Sequence, residues 1–429
     1  MSTGFNRDRD DLARGAKAIV VLPDQGDALR DSAARIEETA GLALAIGLDV
    51  VERQVLRVRA RKPATLIGSG QVEQLATSVR MVEAELVVFD ANLSPVQQRN
   101  LETALATKVI DRTGLILEIF GERAATAEGR LQVELAHLDY QAGRLVRSWT
   151  HLERQRGGFG FLGGPGETQI EADRRLIRDR MARLRKELDQ VSRTRGLHRD
   201  RRQRAPWPVI ALVGYTNAGK STLFNRLTGA DVMAEDLLFA TLDPTLRQIS
   251  LPGIDKAILS DTVGFVSDLP TQLVAAFKAT LEEVVSADLL LHVRDIAHPD
   301  TEAQRSDVET VLADIGVAET TPRFEAWNKL DVLSPGERDA LIALAARRDN
   351  VVAISALSGE GVADLIDQVA IQLTATHRRY AITLEVSDGA SAAWLHAHGE
   401  VLQQSVDGSA MTFDVRLSPA DHDRFLSRA

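Results

Sequence analysis

The chain has 429 residues, of which 44% are hydrophobic and 26% charged, so it is long enough for two or three soluble domains. It contains no cysteine, which excludes disulfides, zinc–thiolate sites and thiol catalysis. The opening segment MSTGFNRDRDDLARG has no signal-peptide apolar core, and no run is long enough to span a membrane. We therefore expect a cytoplasmic protein with no membrane partner.

The net charge of −10 is unevenly distributed along the chain. Residues 171–204 hold 13 Lys or Arg against 6 Asp or Glu, a net of +7, and the other residues together carry −17. A basic stretch on an acidic protein favours a polyanionic partner. The alternative is a solvated helix whose arginines pair with glutamates four residues apart.

Residues 1–114 alternate short apolar runs with helical patterns. The expected strands are 16–24, 50–58, 86–90 and 108–112, and the expected helices are 27–46, one from Gln71 onward, and 94–106. Strands separated by helices predict a small parallel α/β domain. The LIGSG segment before the second helix is either a tight strand–helix turn or a second phosphate cradle.

Residues 115–204 predict an antiparallel helical hairpin. The first helix covers about 115–150, and the second runs from Glu167 to about Arg193. The glycine-rich tip between them carries Phe159 and Phe161, and aromatic side chains flanked by arginines suit stacking into folded RNA.

The rest of the chain divides into two further predicted units. After a linker ending in PWP, the strand VIALVG opens a domain that spans 205–377. Residues 378–429 alternate apolar and polar positions around a helix at about 390–403, which predicts a small α+β domain.

The segment GYTNAGKS, residues 214–221, matches the P-loop pattern G-x-x-x-x-G-K-[ST] between a strand and a helix. Its backbone N–H groups would surround phosphates, with the helix N-terminus adding partial positive charge. Lys220 should reach the β- and γ-phosphates, and the Ser221 hydroxyl should ligate Mg²⁺.

NKLD, residues 328–331, is the predicted base reader. The Asp331 carboxylate can accept both guanine N1–H and the guanine amino group, which adenine lacks in that arrangement. Asn328 would fix the loop, and the stem of Lys329 would cover the base. SAL, residues 355–357, could offer the Ala356 N–H to guanine O6.

DTVG, residues 261–264, lies between the P-loop and NKLD in the chain, as expected for a GTP-binding domain. Asp261 should hold a Mg²⁺-bound water and the Gly264 N–H should meet the γ-phosphate. In switch I, Thr241 and Thr245 both fit the Mg²⁺-ligating threonine by spacing. The order of the four motifs, each at a strand end, predicts GTP binding with Mg²⁺ as cofactor.

Phe265 occupies the position where many GTPases carry a water-orienting glutamine. Either catalysis is lost, or backbone groups or a partner orient the water, which would give slow turnover that an activator raises. In several GTPases with a hydrophobic residue here, an asparagine at the position of Asn217 ligates K⁺. The alternative is an ordinary loop-stabilising asparagine.

The chain resembles the HflX family of ribosome-associated GTPases. The resemblance rests on GYTNAGKSTLFNRLTG, LFATLDPT, DTVGF and LVAAFKATLEE, and on LIGSGQVEQL and GGPGETQIEADRR upstream. It implies an N-terminal α/β domain with a helical extension, then a Ras-like G domain with a mixed, mostly parallel sheet. Pro165 departs from the family, where an arginine is common.

The resemblance also implies function. It implies binding to the large ribosomal subunit and its rRNA, binding of GTP and GDP, and separation of the subunits of stalled or idle ribosomes under stress. It favours Thr241 over Thr245 for Mg²⁺ and places the hairpin tip near the peptidyl-transferase region. We expect a monomer.

The predicted site residues fall into three sets. The groups expected to act in catalysis are Lys220, Thr241 and Gly264. The expected GTP contacts are Gly214, Tyr215, Thr216, Asn217, Ala218, Gly219, Lys220, Ser221, Phe239, Ala240, Thr241, Leu242, Asp243, Asp261, Thr262, Val263, Gly264, Asn328, Lys329, Leu330, Asp331, Ser355, Ala356 and Leu357. The expected ribosome contacts are Arg154, Arg156, Phe159, Phe161, Arg174 and Arg175.

Two alternatives to a ribosome-remodelling GTPase stay open at this point. One is a dormancy factor that holds ribosomes in its GTP state, with hydrolysis incidental. The other assigns an ATP-dependent RNA-remodelling activity to the N-terminal domain through LIGSG.

Overall fold

The computed structural model describes residues 14–26, 30–155, 172, 174–191, 207–230, 239, 245–267, 278–375, 378–417 and 419–427. Within these residues the chain forms three separate sheets and thirteen α-helices, numbered here in chain order.

The first sheet is fully parallel and has four strands in the order β2-β1-β3-β4. Its strands are β1 (Lys17–Asp24), β2 (Asp49–Arg57), β3 (Leu86–Phe89) and β4 (Lys108–Asp111), and its connecting helices are α1 (Ser32–Ala45), α2 (Ser69–Val82) and α3 (Pro95–Leu105). Hydrophobic clusters cover both faces of this sheet, as parallel strands require. The predicted small parallel α/β unit is confirmed.

Local sequence explains where these helices begin. Ser94 caps α3 by accepting the N–H of Gln97, whose side chain accepts the Ser94 N–H in return, and Pro95 occupies the first helical position. Asp31 caps α1 through the N–H of Ala33.

Three helices follow the first sheet. They are α4 (Arg112–Arg123), α5 (Ala127–Gln155) and α6 (174–191). The single helix expected from about residue 115 is therefore two helices, separated by residues 124–126. Arg180 of α6 donates two hydrogen bonds to Glu134 of α5, at 2.8 and 3.0 Å, so these two helices lie side by side.

The second sheet has six strands in the order β10-β9-β8-β5-β7-β6, and only β6 runs antiparallel. The strands are β5 (Val209–Val213), β6 (Thr245–Leu251), β7 (Ile254–Asp261), β8 (Leu289–Asp295), β9 (Arg323–Asn328) and β10 (Val351–Ala353). The helices are α7 (Lys220–Thr228), α8 (Lys278–Val285), α9 (Thr301–Asp314), α10 (Pro335–Ala345) and α11 (Val362–Thr374), with a 3₁₀ turn at Leu330–Val332. This confirms the mixed, mostly parallel sheet of a P-loop G domain.

The last unit is a three-stranded antiparallel sheet in the order β11-β13-β12, with two helices. Its elements are β11 (Arg378–Glu385), α12 (Gly389–His398), β12 (Glu400–Asp407), β13 (Ala410–Leu417) and α13 (Pro419–Leu426). The α+β prediction is confirmed, but the helix expected to reach residue 403 ends at His398, and a strand begins at Glu400.

The boundary between the first two sheets is a continuous hydrophobic contact. One cluster joins Leu115, Ile119 and Phe120 of α4 to Val263 and Phe265 beside β7. The N-terminal unit is therefore packed directly against the phosphate-binding end of the second sheet.

Candidate nucleotide-binding site

The P-loop connects β5 to α7, as its sequence predicts. Asn217 adopts a left-handed backbone conformation, with φ 58°, which asparagine tolerates better than most residues. Gly219 has φ 94°, and a Cβ there would lie 2.2 Å from Asn328 Nδ2. A side chain at position 219 would separate the P-loop from the NKLD loop, so glycine is required.

Lys220 is buried within this loop. Its Nζ donates to the carbonyl oxygens of Gly214 and Tyr215, at 3.0 and 2.7 Å. Burial lowers the pKa of Lys220 to about 8, although the negative charge of Asp261 opposes the shift. The Lys220 ammonium group therefore lies at the loop, where a bound phosphate would raise its pKa again.

Two predicted Mg²⁺ groups lie together. The Ser221 hydroxyl donates to Asp261 Oδ2 at 2.8 Å. A hydroxyl and a carboxylate at the start of a phosphate-binding helix are oxygen donors of the kind that Mg²⁺ takes alongside waters and phosphates. The residues present therefore fit a Mg²⁺ ion.

The DTVGF segment lies against the P-loop through its backbone. Thr216 donates its N–H to the Phe265 carbonyl oxygen at 2.7 Å, and the Phe265 N–H donates to the Gly214 carbonyl oxygen at 3.1 Å. A Cβ on Gly264 would lie 2.9 Å from Thr216 Cα and 3.0 Å from Lys220 Nζ, so only glycine fits there.

The side chains of Thr262, Val263 and Phe265 point away from the phosphate end. Phe265 is 1% exposed and belongs to the interdomain hydrophobic cluster, together with Val263. The Thr262 hydroxyl donates to the Leu212 carbonyl oxygen at 2.6 Å, which ties the segment to β5. No side chain between 262 and 265 is therefore placed to orient a water molecule.

The guanine-reading loops are joined by Asn328. Its Nδ2 donates to the Ala218 carbonyl oxygen and its Oδ1 accepts the Ala356 N–H, both at 2.8 Å. Asn328 thus ties the P-loop to the SAL loop. The Ala356 N–H predicted for guanine O6 is bonded to this amide instead.

The other NKLD residues divide between base reading and packing. The Asp331 carboxylate accepts the Ser355 hydroxyl, and Lys329 pairs with Asp295 at 2.8 Å. Leu330 is buried, whereas Leu357 is exposed. Asp331 and the Lys329 stem are the groups available at the surface for a base.

Arg226 of α7 was not anticipated from the sequence. Its guanidinium donates to the carbonyl oxygens of Ala356 and Leu357. It therefore holds the SAL loop against the helix that follows the P-loop.

Within the predicted switch I, the structure describes Phe239 and the residues from Thr245 onward. Phe239 is buried and contacts Phe120 of α4 edge to face, with ring centroids 4.7 Å apart. Ala240, Thr241, Leu242 and Asp243 lie outside the described residues, so Thr241 as the Mg²⁺ threonine stays a prediction. Thr245 is the first residue of β6.

Three of the six predicted ribosome contacts lie at the ends of the two long helices. Arg154 is in the last turn of α5, and Arg174 and Arg175 begin α6. Arg156, Phe159 and Phe161 lie outside the described residues.

The LIGSG turn has the geometry of a capped strand–helix turn. Gly68 has a negative φ, and its N–H donates to the side chain of Gln71 at 3.0 Å. The helix thus supplies one of its own N-terminal caps, which favours the structural interpretation of this segment.

Comparison with known proteins agrees with this geometry. Family models match the N-terminal region (GTP-binding GTPase N-terminal, residues 33–121), the middle region (123–202), a "50S ribosome-binding GTPase" domain (209–329) and the "HflX C-terminal domain" (340–428). GTPase HflX of Magnetococcus marinus is 50% identical over 405 residues, covering 94% of this chain and 93% of that protein.

The chain belongs to the GTPase HflX family. GTPase HflX of Escherichia coli is 43% identical over 386 residues, covering 89% of this chain and 88% of that protein. A crystal structure of a GTP-binding protein from Sulfolobus solfataricus in complex with GDP covers 84% of this chain and 99% of its own, at 23% identity and a TM-score of 0.45. As an HflX-family protein, this chain binds and hydrolyses GTP.

Among the described residues, no helix has the length and apolar character of a membrane span.

Proposed function

We propose that this HflX-family GTPase binds the large ribosomal subunit and uses GTP binding and hydrolysis to separate stalled or idle ribosomes. The match of residues 209–329 to a model described as a 50S ribosome-binding GTPase carries the proposal. The +7 segment at 171–204 supports it, because a basic stretch of chain suits the phosphates of rRNA.

The nucleotide site supports a division of roles among its residues. Lys220 and the P-loop N–H groups would bind the β- and γ-phosphates, and Asp331 would select guanine. Bound Mg²⁺, held by Ser221 and through water by Asp261, would neutralise charge on the phosphates. The Gly264 N–H would contact the γ-phosphate and so report whether it is present.

The burial of Phe265 supports slow intrinsic hydrolysis that a partner accelerates. Because no side chain from Thr262 to Phe265 is placed to orient the attacking water, we propose that backbone groups or a partner orient it. Asn217 is exposed within the P-loop, so its side-chain amide oxygen is accessible to an ion. We propose K⁺ as a second cofactor on that ground.

The same burial also favours one alternative, a factor that holds ribosomes in its GTP state without fast turnover. Sedimentation of the protein with large and small subunits, in a non-hydrolysable GTP analogue, GTP or GDP, tests the binding proposal. In the presence of the analogue, we expect the protein to bind large subunits, and we expect this binding to weaken steeply between low and moderate salt. Equal binding in GDP, or no binding to large subunits, would contradict the proposal.

A further inference from the structure

A buried charge cluster lies where the N-terminal unit meets the nucleotide site. Its centre is Arg112, the first residue of α4, whose side chain is almost fully buried. Arg112 Nη1 donates to Asp90 Oδ1 at 2.7 Å and to Thr39 Oγ1 at 3.3 Å, and Nη2 donates to Glu38. All three partners belong to the N-terminal unit, since Asp90 directly follows β3 and the other two lie on α1.

Arg112 also crosses to the G domain. Its Nε donates to the Ser267 carbonyl oxygen at 3.3 Å, and Nη2 donates to the Ser267 hydroxyl at 2.9 Å. Ser267 is three residues after Gly264, so one guanidinium anchors the segment that follows DTVG. All five N–H groups of Arg112 have a partner in this arrangement, and none is left to reach a phosphate.

Tyr215, the second residue of the P-loop, joins the same cluster. Its hydroxyl donates to Glu38 Oε2 and accepts the Ser267 N–H, both at 2.9 Å. Since the backbone of Phe265 pairs with Gly214 and Thr216 on either side of Tyr215, the P-loop and the DTVGF segment are joined twice. The phenol thus links both phosphate-binding segments to the N-terminal unit.

The ionisation states keep this cluster fixed. Burial alone would raise the pKa of Asp90, but Arg112 and Arg35 outweigh it and hold that pKa below its usual value. Burial, with the charge of Glu38, raises the pKa of Tyr215, so its phenol stays protonated and donates. A buried charge pair with satisfied hydrogen bonds resists displacement, because removing one partner leaves an unpaired charge.

We infer that Arg112 and Tyr215 are positioning residues for GTP hydrolysis. They hold the segment from Gly264 to Ser267 against the P-loop, so that the Gly264 N–H stays beside Lys220, where the γ-phosphate of bound GTP would be. This inference rests on the proposed use of the site for GTP but not on any ribosomal partner. The N-terminal unit would then be part of the hydrolytic machinery.

Tyr215→Phe tests the inference, because it removes the hydroxyl and keeps the ring in the hydrophobic cluster. We expect kcat for GTP hydrolysis without ribosomes to fall about ten-fold, since small misplacement of a catalytic group is costly. The Kd for GDP should stay within about two-fold, because the backbone groups of the P-loop are retained. The matched control is Tyr140→Phe, which removes a similar hydrogen bond, to Asp111 Oδ1 at 2.6 Å, inside the N-terminal unit. That control should leave kcat unchanged.

A second variant keeps the inference testable if one of the two substitutions impairs folding. Arg112→Gln should also lower kcat more than it changes the Kd for GDP. The kcat of the double variant should lie within about two-fold of the kcat of the slower single variant, because both changes release Ser267. A Tyr215→Phe kcat within two-fold of the unmodified protein, or a parallel loss of GDP binding, would overturn the positioning role. Absence of ribosome stimulation would instead count only against the proposed function.

Discussion

The Phe265 carbonyl oxygen accepts the Thr216 N–H at 2.7 Å, which fixes the residue after DTVG by its backbone while its side chain is 1% exposed. The position that carries a catalytic glutamine in many GTPases is therefore turned into the hydrophobic interior. A glutamine side chain at position 265 should therefore also point into the interior and should not orient the attacking water.

Phe265→Gln tests that orientation. We expect no increase in GTP turnover and a loss of about 2–4 kcal/mol in the free energy of unfolding, because packing is lost and an amide is buried without partners. Phe265→Met, which stays apolar, should cost less. Hydrolysis assays and thermal denaturation measure both effects. A ten-fold faster Gln variant of unchanged stability would show that this side chain reaches the nucleotide.

Asp331→Asn should change base selection. Loss of the carboxylate should weaken GTP binding about a hundred-fold, since two charge-assisted hydrogen bonds to guanine are removed. Xanthosine diphosphate, which presents an acceptor to the new amide, should bind better than before. The control is Ser355→Ala, which removes the hydroxyl that donates to Asp331 and keeps the carboxylate. Unchanged GTP affinity in Asp331→Asn would refute the base-reading role.

Nucleotide affinity should depend on pH through Lys220. The pKa of this lysine is lowered to about 8 by burial in the ligand-free protein. Bound phosphates would raise it again, so the complex holds a proton that the free protein releases above its pKa. The affinity for GDP should therefore be nearly full at about pH 7 and below, and it should fall as pH rises through the pKa, by about four-fold between about pH 7 and 8.5. A fluorescent GDP titration measures this, and a constant Kd over that range would contradict the assignment.

The hairpin tip should act on the ribosome and not on the nucleotide. Replacing Phe159 and Phe161 together by alanine should weaken binding to large subunits about ten-fold or more, since each stacking contact contributes about 1–3 kcal/mol. GDP affinity should be unchanged. Met81→Ala is a suitable control, because Met81 is an exposed apolar side chain on the N-terminal unit. Loss of GDP binding in the double variant would make the hairpin a structural support.

The sequence predicted those parts of the fold and site that rest on local signals. The strands before the P-loop and NKLD end where the motifs begin, because short apolar runs followed by glycine or polar residues mark buried parallel strands. The helix start at Ser94 followed from its capping residues. The NKLD motif indicated that Asn328 fixes its loop, but not that Asn328 bonds to both the P-loop and the SAL loop.

Other elements depended on contacts that local sequence does not encode. The run EVLQQSVD has good helix formers, yet it pairs with β13 across a hairpin turn and forms a strand. Arg112 carries no recognisable motif, and its partners lie between 22 and 155 positions away. Phe265 could be identified as unusual from its type, but its direction depends on how the N-terminal unit packs against the P-loop.

GTP hydrolysis by the purified protein, alone and with large ribosomal subunits, in K⁺ and in Na⁺, tests the account most directly. We predict slow GTP turnover by the protein alone and a clear increase when large subunits are added, because the Phe265 side chain does not orient the attacking water. A further increase in K⁺ over Na⁺ would assign Asn217 as the ion ligand. Turnover that large subunits leave unchanged in both salts would contradict a GTPase activated by the ribosome.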